Sequence, residues 1–193
     1  MTTPMLRGYI LKQTVSFIES DYFQPQARQT ILESLTPEVA NALPAIKPAE
    51  WYTRDYLMDM LRGIARIKNT DDGVYEDLVA YGTYVSTEAT NTFLKLMLKM
   101  LTPTLFAKKI PDVWQRDHRN SGTFEVDVQH ANEGLIKLRL VGAGGFEHVG
   151  ITSIGFISSA MKIMGKKDIR MTQKGWSLAT PGPDRIDYEL RWV

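Results

Sequence analysis

Apolar residues recur at helical spacing through roughly the first 118 positions of the chain and then change to strict alternation. Leu6, Tyr9, Ile10, Phe17 and Ile18 fall on one side of a helix over 5–20, with Gly8 a weak point inside it. Pro25 suits a first helical turn, and Ala27, Ile31, Leu32 and Leu35 follow at helical spacing, which predicts a helix to about Ser34. Thr36 and Pro37 read as cap and first position of a short helix through Leu43. Beyond a connector bracketed by Pro44 and Pro48, the residues Trp51, Tyr52, Tyr56, Leu57, Met60, Leu61, Ile64 and Ile67 form a wide apolar stripe. It predicts a helix ending near Lys68. The NTDDG stretch at 69–73 is turn chemistry, with Asp72 a candidate cap. Leu78, Val79, Val85, Ala89, Phe93, Leu94, Met97, Leu98 and Leu101 then give the longest helical pattern, with Gly82 the place for a bend. Thr102 and Pro103 restart a helix carrying Leu105, Phe106, Ile110, Val113 and Trp114, which Pro111 should break or kink.

From Arg119 the period is two. Phe124, Val126 and Val128 alternate with Glu125, Asp127 and Gln129, ANEG at 131–134 turns the chain, and Ile136, Leu138 and Leu140 alternate with Lys137 and Arg139. GAGG at 142–145 reads as a loop or bulge, and His148 as part of an extended lead-in. Within 147–167, Ile154, Ile157, Ala160, Met161 and Met164 lie at helical spacing. They predict a buried helix laid across the sheet, stopped by Gly165 and followed by Lys166 and Lys167. Ile169, Met171 and Gln173 to Trp176 predict one further strand, PGPD at 181–184 a turn, and Tyr188, Leu190 and Trp192 the last strand. Helices followed by strands argue α+β rather than parallel α/β. The expected architecture is an N-terminal helical layer packed on a twisted four-stranded antiparallel sheet with an inserted helix. It forms one domain over 1–193, mainly helical over 1–118 and ββαββ over 119–193, and 193 residues suffice to bury a core.

Composition narrows the function. With 23 basic and 22 acidic residues the net charge is +1, which gives no overall electrostatic footprint for nucleic acid or an anionic membrane. The absence of cysteine excludes a disulfide framework, a thiolate nucleophile and Cys-type zinc. Arg7, Lys12, Gln13 and Glu19 interrupt any apolar leader, and no apolar run approaches a membrane span, so a cytoplasmic location is expected.

Candidate chemistry is sparse. His118, His130 and His148 match no metal-ligand spacing, so structural or surface roles are expected and no metal site is assigned. Ser153, Ser158 and Ser159 lack a nucleophile elbow, and neither GAGG nor GITSIG is followed by the Gly-Lys-Ser/Thr of a phosphate loop. Carboxylates such as Asp71, Asp72, Asp184 and Asp187 fall in turns or on polar faces. Methionine either fills a core or lines a surface that adapts to a guest. On the second reading Phe93, Met97, Trp114, Phe156, Met161 and Met164 line a ligand pocket between helices and sheet.

Several landmarks recur together: Trp51-Tyr52, AYG at 80–82, Thr102-Pro103, W-x-x-x-H at 114–118, RNSG at 119–122, the hairpin, G-x-x-x-x-G at 150–155 and YELRW at 188–192. Over most of its length this layout resembles the myxobacterial paralogous family of unknown function. That family is similar to the ligand-binding fold shared by four-vinyl-reductase domains, haem nitric-oxide-binding domains and TRAPP vesicle-tethering subunits. The resemblance implies a helical layer over a twisted antiparallel sheet, an apolar pocket between them, and a homodimer. Relatives of the first kind often bind zinc through cysteines, and the haem-binding ones use a proximal His with a Tyr-x-Ser-x-Arg motif. This chain has neither cysteines nor that motif, so no cofactor is expected. The leading expectation is a non-enzymatic sensory or adaptor domain for a small hydrophobic or amphipathic ligand. The alternative is a protein-interaction scaffold with a filled core, similar to a tethering-complex subunit. An enzyme would need titratable groups converging in a cleft.

Overall fold

Leu6 pairs with Tyr52 on one side and with His118 on the other, so three distant points of the chain meet in a small antiparallel sheet. The computed structural model describes all residues except Met1, Asn69, 88–91, Ala143, Gly145, Phe146 and 174–183, and describes only the backbone of 92–95 and of Glu147. In chain order the elements are β1 (Met5–Arg7), α1 (Gly8–Glu19), α2 (Pro25–Glu33), α3 (Pro37–Ala42), β2 (Trp51–Thr53), α4 (Arg54–Lys68), α5 (Asp71–Thr87), α6 (Thr92–Met100) and α7 (Pro103–Asp117). There follow β3 (His118–Arg119), β4 (Thr123–Asp127), β5 (Leu135–Val141), α8 (Glu147–Ile163), β6 (Arg170–Gln173) and β7 (Arg185–Arg191). The fold is α+β, and no helix among the described residues is long and apolar enough to cross a membrane.

The helix starts follow local chemistry. Proline opens α2, α3 and α7 behind an extended Gln24, Thr36 and Thr102, where its missing N–H costs nothing. Thr102 also accepts from the Leu105 N–H at 3.2 Å. α7 continues through Pro111, so of the expected break or kink the break does not occur. The small sheet differs from the sequence pattern, which assigns helix to 5–7 and 51–53. Gly8 and Tyr9 donate their N–H groups to Glu50 and Pro48 carbonyls, so the connector before β2 folds back on the start of α1. Strands this short carry no detectable period, and their apolar residues merge with the stripe of the helix that follows. Arg7 and Arg119 both stack over this sheet's Trp51 ring, at 4.2 and 3.9 Å.

The larger sheet runs β4–β5–β7–β6, antiparallel throughout. Phe124 pairs with Leu140, which pairs with Ile186; Leu138 pairs with Tyr188, and Leu190 with Ile136 and Met171. All of these are buried. On the other face Arg139 bridges Asp187 at 2.8 Å and Glu125 at 3.3 Å in water. Alternation therefore records one dry and one wet face.

α8 lies between that sheet and α5. Tyr188 reaches up from β7 to donate to the Gly150 carbonyl at 3.1 Å. On its other side α8 meets α5 backbone to backbone. A Cβ added at Gly155 would sit 1.9 Å from the Val79 carbonyl oxygen, and one added at Gly82 would sit 1.9 Å from that of Thr152. Gly82 is therefore a point of close approach inside a continuous α5. His148 belongs to the first turn of α8, not to an extended lead-in. The long helical pattern covers α5 and α6, with 88–91 between them and the side chains of 92–95, Phe93 included, outside the described residues, as are 174–183 of the expected strand and turn.

Candidate functional site

Phe17, at the buried end of α1, is the hub of an aromatic cluster. Its ring centroid lies 5.0 Å from Tyr22, 5.3 Å from Phe23, 5.5 Å from Tyr81 and 5.4 Å from Tyr84. Such spacings give a favourable edge and offset geometry in addition to area burial. Glu76, Val79, Ala80, Thr83, Tyr84 and Thr87 recur every three or four residues, so they share a face of α5. Between that face and the end of α1 opens a cleft of about 540 Å³, floored by Phe17 and edged by Tyr22 and Tyr75. Its size falls within the range that holds small ligands. Thr14 and Tyr81 share a buried hydrogen bond of 2.8 Å that fixes α1 on α5 beneath it.

A charge network closes one rim. Asp77 is fully buried, and its Oδ1 accepts from Tyr22 Oη at 2.7 Å and from Lys68 Nζ at 3.0 Å. Oδ2 has no donor among the described residues. Lys68 also reaches Glu76 at 3.1 Å. The Tyr22 hydroxyl is pushed up to about 12, first by burial and then by its bond to Asp77, and so remains a donor. Lys68 is raised chiefly by Asp77. Removing the lysine strands a carboxylate that has no exit to water, so Lys68→Met is expected to cost about 2 kcal/mol in urea unfolding. Lys68→Met in an Asp77→Asn background should cost much less, and equal costs in both backgrounds would refute the coupling.

The residues read from sequence as a pocket are distributed differently. Met97 is exposed on α6, Met161 is fully buried in α8, and Phe156 and Met164 are half-buried. Trp114 is buried against β4, where its ring meets Phe124 edge-on at 5.2 Å and its Nε1 donates to the Gly122 carbonyl at 3.1 Å. None of these five lines the α1–α5 cleft, and the Phe93 side chain is outside the described residues. The cleft tyrosines were missed because each is ordinary in its own segment. The available signal was two of them, Tyr75 and Tyr84, on one helix, since a ring with a polar tip favours a boundary between core and water.

His118 shows a different specialisation. Its ring stacks on Trp114 at 3.9 Å with 13° between planes, and Nδ1 lies 3.2 Å from the Trp114 carbonyl oxygen. Burial lowers its pKa to about 4, against opposing effects of that carbonyl and of Asp117. Asp117 is clamped by Arg116 through two contacts of 2.8 and 2.7 Å. His130 is exposed beside Glu133 at 3.2 Å, and His148 is buried. Among the described residues no three acidic or imidazole side chains are grouped as metal ligands.

No family model matches the chain, and no curated protein does. Solved structures do. The chain is similar to the Fe(II) unliganded H-NOX protein from K. algicida, with a TM-score of 0.72 at 11% identity over 97% of each chain. It is also similar to an S. oneidensis H-NOX protein in the Fe(II)NO state, with a TM-score of 0.60 at 12% identity over 97% of this chain and 99% of that one. A T. tengcongensis H-NOX mutant gives 0.60 at 11% identity over 97% of each. The fold is thus that of H-NOX proteins.

A haem requires a flat slot and an axial donor facing into it. α5 and α8 leave no such slot at their crossing, where Gly82 and Gly155 bring backbone onto backbone. Of the three histidines, His118 lies at the end of α7 with Nδ1 3.2 Å from the Trp114 carbonyl oxygen, His130 is exposed beside Glu133, and His148 is buried in the first turn of α8. The described residues therefore do not fit a haem between these two helices.

Proposed function

We propose that this chain is a non-enzymatic sensory or adaptor domain, and that its ligand is a small hydrophobic or amphipathic molecule bound in the cleft between α1 and α5. The observation that carries this reading is the aromatic cleft itself, floored by Phe17 and bounded by one face of α5. The opposite side of α5 is locked to the α8 backbone, and α8 is tied to β7 through Tyr188. A ligand that moves α5 must therefore move α8 and strain the sheet, which supplies a physical output for binding. The H-NOX-like fold supports a sensor, since the neighbouring structures are recorded in ferrous and nitric-oxide-ligated states.

The test is a melting series with a panel of hydrophobic and amphipathic small molecules. A true ligand at a hundred times its Kd raises Tm by about 5–10 °C for a chain of this size. Ala80→Phe, which fills the cleft, should abolish the shift. A shift that survives Ala80→Phe would instead favour a site among Met97, Phe156, Met161 and Met164, and a panel with no shift at all refutes ligand binding. The second reading, a scaffold with a filled core, draws on the closed α5–α8 crossing and predicts that last result. A homodimer belongs to the proposal as well, and sedimentation velocity of the full chain checks it.

A further inference from the structure

α6 and α7 meet at an elbow around Leu101 and Thr102, and their outward side chains are unusual for a surface helix. Leu96, Met97 and Met100 on α6 and Leu105 on α7 are all exposed, Met100 at 85%, while Leu98, Phe106, Ala107 and Trp114 take the buried positions. An amphipathic helix of a soluble domain normally turns charge outward at such positions. The charges that are present have one sign. Residues 89–111 contain Lys95, Lys99, Lys108 and Lys109 and none of the chain's 22 acidic residues. The first acid beyond them, Asp112, pairs with Lys109 at 3.1 Å. The near-neutral total charge therefore conceals a local basic segment. Beside the elbow, Thr102, Pro103 and Thr104 share a cleft with Lys166 and Trp192, and with Glu133, which His130 already engages. Tryptophan and lysine are the side chains that settle at a water–lipid boundary.

We propose that the α6–α7 elbow docks on an anionic lipid surface, with Leu96, Met97, Met100 and Leu105 at the acyl boundary and Lys99 and Lys108 among the headgroups. Charge complementarity and shape select this occupant. The most exposed apolar side chain projects from the junction of two helices; a fluid bilayer accepts a projecting tip, whereas a protein partner would need a matching socket. The flanking lysines have the flexible stems that let an ammonium reach phosphate while its methylenes stay with the apolar face. The inference stands independently of the ligand cleft.

Cosedimentation of the full chain tests it, using vesicles of pure phosphatidylcholine and vesicles with about one third phosphatidylserine. Binding is expected to be at least about tenfold tighter to the anionic vesicles and to fall with added salt. Lys99→Glu with Lys108→Glu should remove that preference, and Met97→Ser with Met100→Ser should abolish binding. All four positions lie on the outer faces of these helices, and an unchanged melting curve confirms that the variants fold. No binding to anionic vesicles overturns the proposal, as does equal binding to both compositions or unchanged binding by both variants. A dimer that dissociates in the Met97→Ser, Met100→Ser variant, without vesicle binding by the parent, would assign the face to a second copy of this chain instead.

Discussion

Gly155→Ala is expected to remove most of the protein's stability. The new Cβ would lie 1.9 Å from the Val79 carbonyl oxygen and 2.8 Å from the Thr83 nitrogen, both backbone atoms that no rotamer change can move. The helices must separate, and separation loosens a core that includes Leu78, Tyr81, Ile151 and Ile154. Overpacking of this kind costs about 4–5 kcal/mol, against a gain of only about 1 kcal/mol from replacing glycine by alanine in a helix. Since a domain of this kind is held by only about 5–15 kcal/mol, the variant should unfold at low urea or fail to fold. Gly82→Ala presses on Thr152 from the other helix and should behave alike. Because one separation relieves both clashes, the double variant should cost little more than either single one. Gly165→Ala is the control: its φ is +82°, with nothing within 4 Å of an added Cβ, so it incurs only left-handed backbone strain of about 1 kcal/mol. A Gly155→Ala loss below about 1.5 kcal/mol would falsify the backbone contact.

That contact also marks how far the sequence could be read. The α+β class was legible because each period had a physical cause: Phe124 and Val126 alternate with Glu125 and Asp127 because one sheet face packs and the other carries Arg139 and Asp187. The resemblance to the haem nitric-oxide-binding fold reached the same architecture as the H-NOX structures. Gly82, by contrast, reads as the place for a bend when only its own helix is in view, and its close approach appears once Thr152 is opposite it. The small sheet was illegible because Leu6, Tyr52 and His118 come from segments of two or three residues beside strong helical stripes. Methionine carries no positional signal of its own, since the same side chain is fully buried at Met161 and exposed at Met97 and Met100. The cleft is assembled from Tyr22 and from α5 residues more than fifty positions later, and no local pattern records that meeting. Net charge hides local patterning for a related reason, since a sum over the chain erases the one-signed stretch 89–111.

Acidification should act on the fold through His118, and the sign follows from burial. An unfolded chain takes up the imidazole proton near pH 6.5, whereas in the folded protein burial delays uptake to about 4. The neutral ring therefore contributes stability that is complete above about pH 6.5, declines as pH falls, and is gone below about 4. The full separation corresponds to about 3 kcal/mol, and the parallel stack on Trp114 would return part of this to an imidazolium, leaving about 2–3 kcal/mol. His118→Phe keeps an aromatic ring on Trp114 and removes the titration. At neutral pH it should be destabilised by up to about 1 kcal/mol through loss of the Nδ1 contact to the Trp114 carbonyl, which keeps the backbone N–H of residue 118. As pH drops the gap should close and then reverse, because only the parent must desolvate a charge or unfold. Carboxylates also titrate in this range, but they are common to both proteins, so the difference in urea midpoint between parent and variant isolates the imidazole. A parent-to-variant difference that stays constant from about pH 7 to about pH 4 would mean that His118 titrates alike folded and unfolded, and that its burial as a neutral group is wrong.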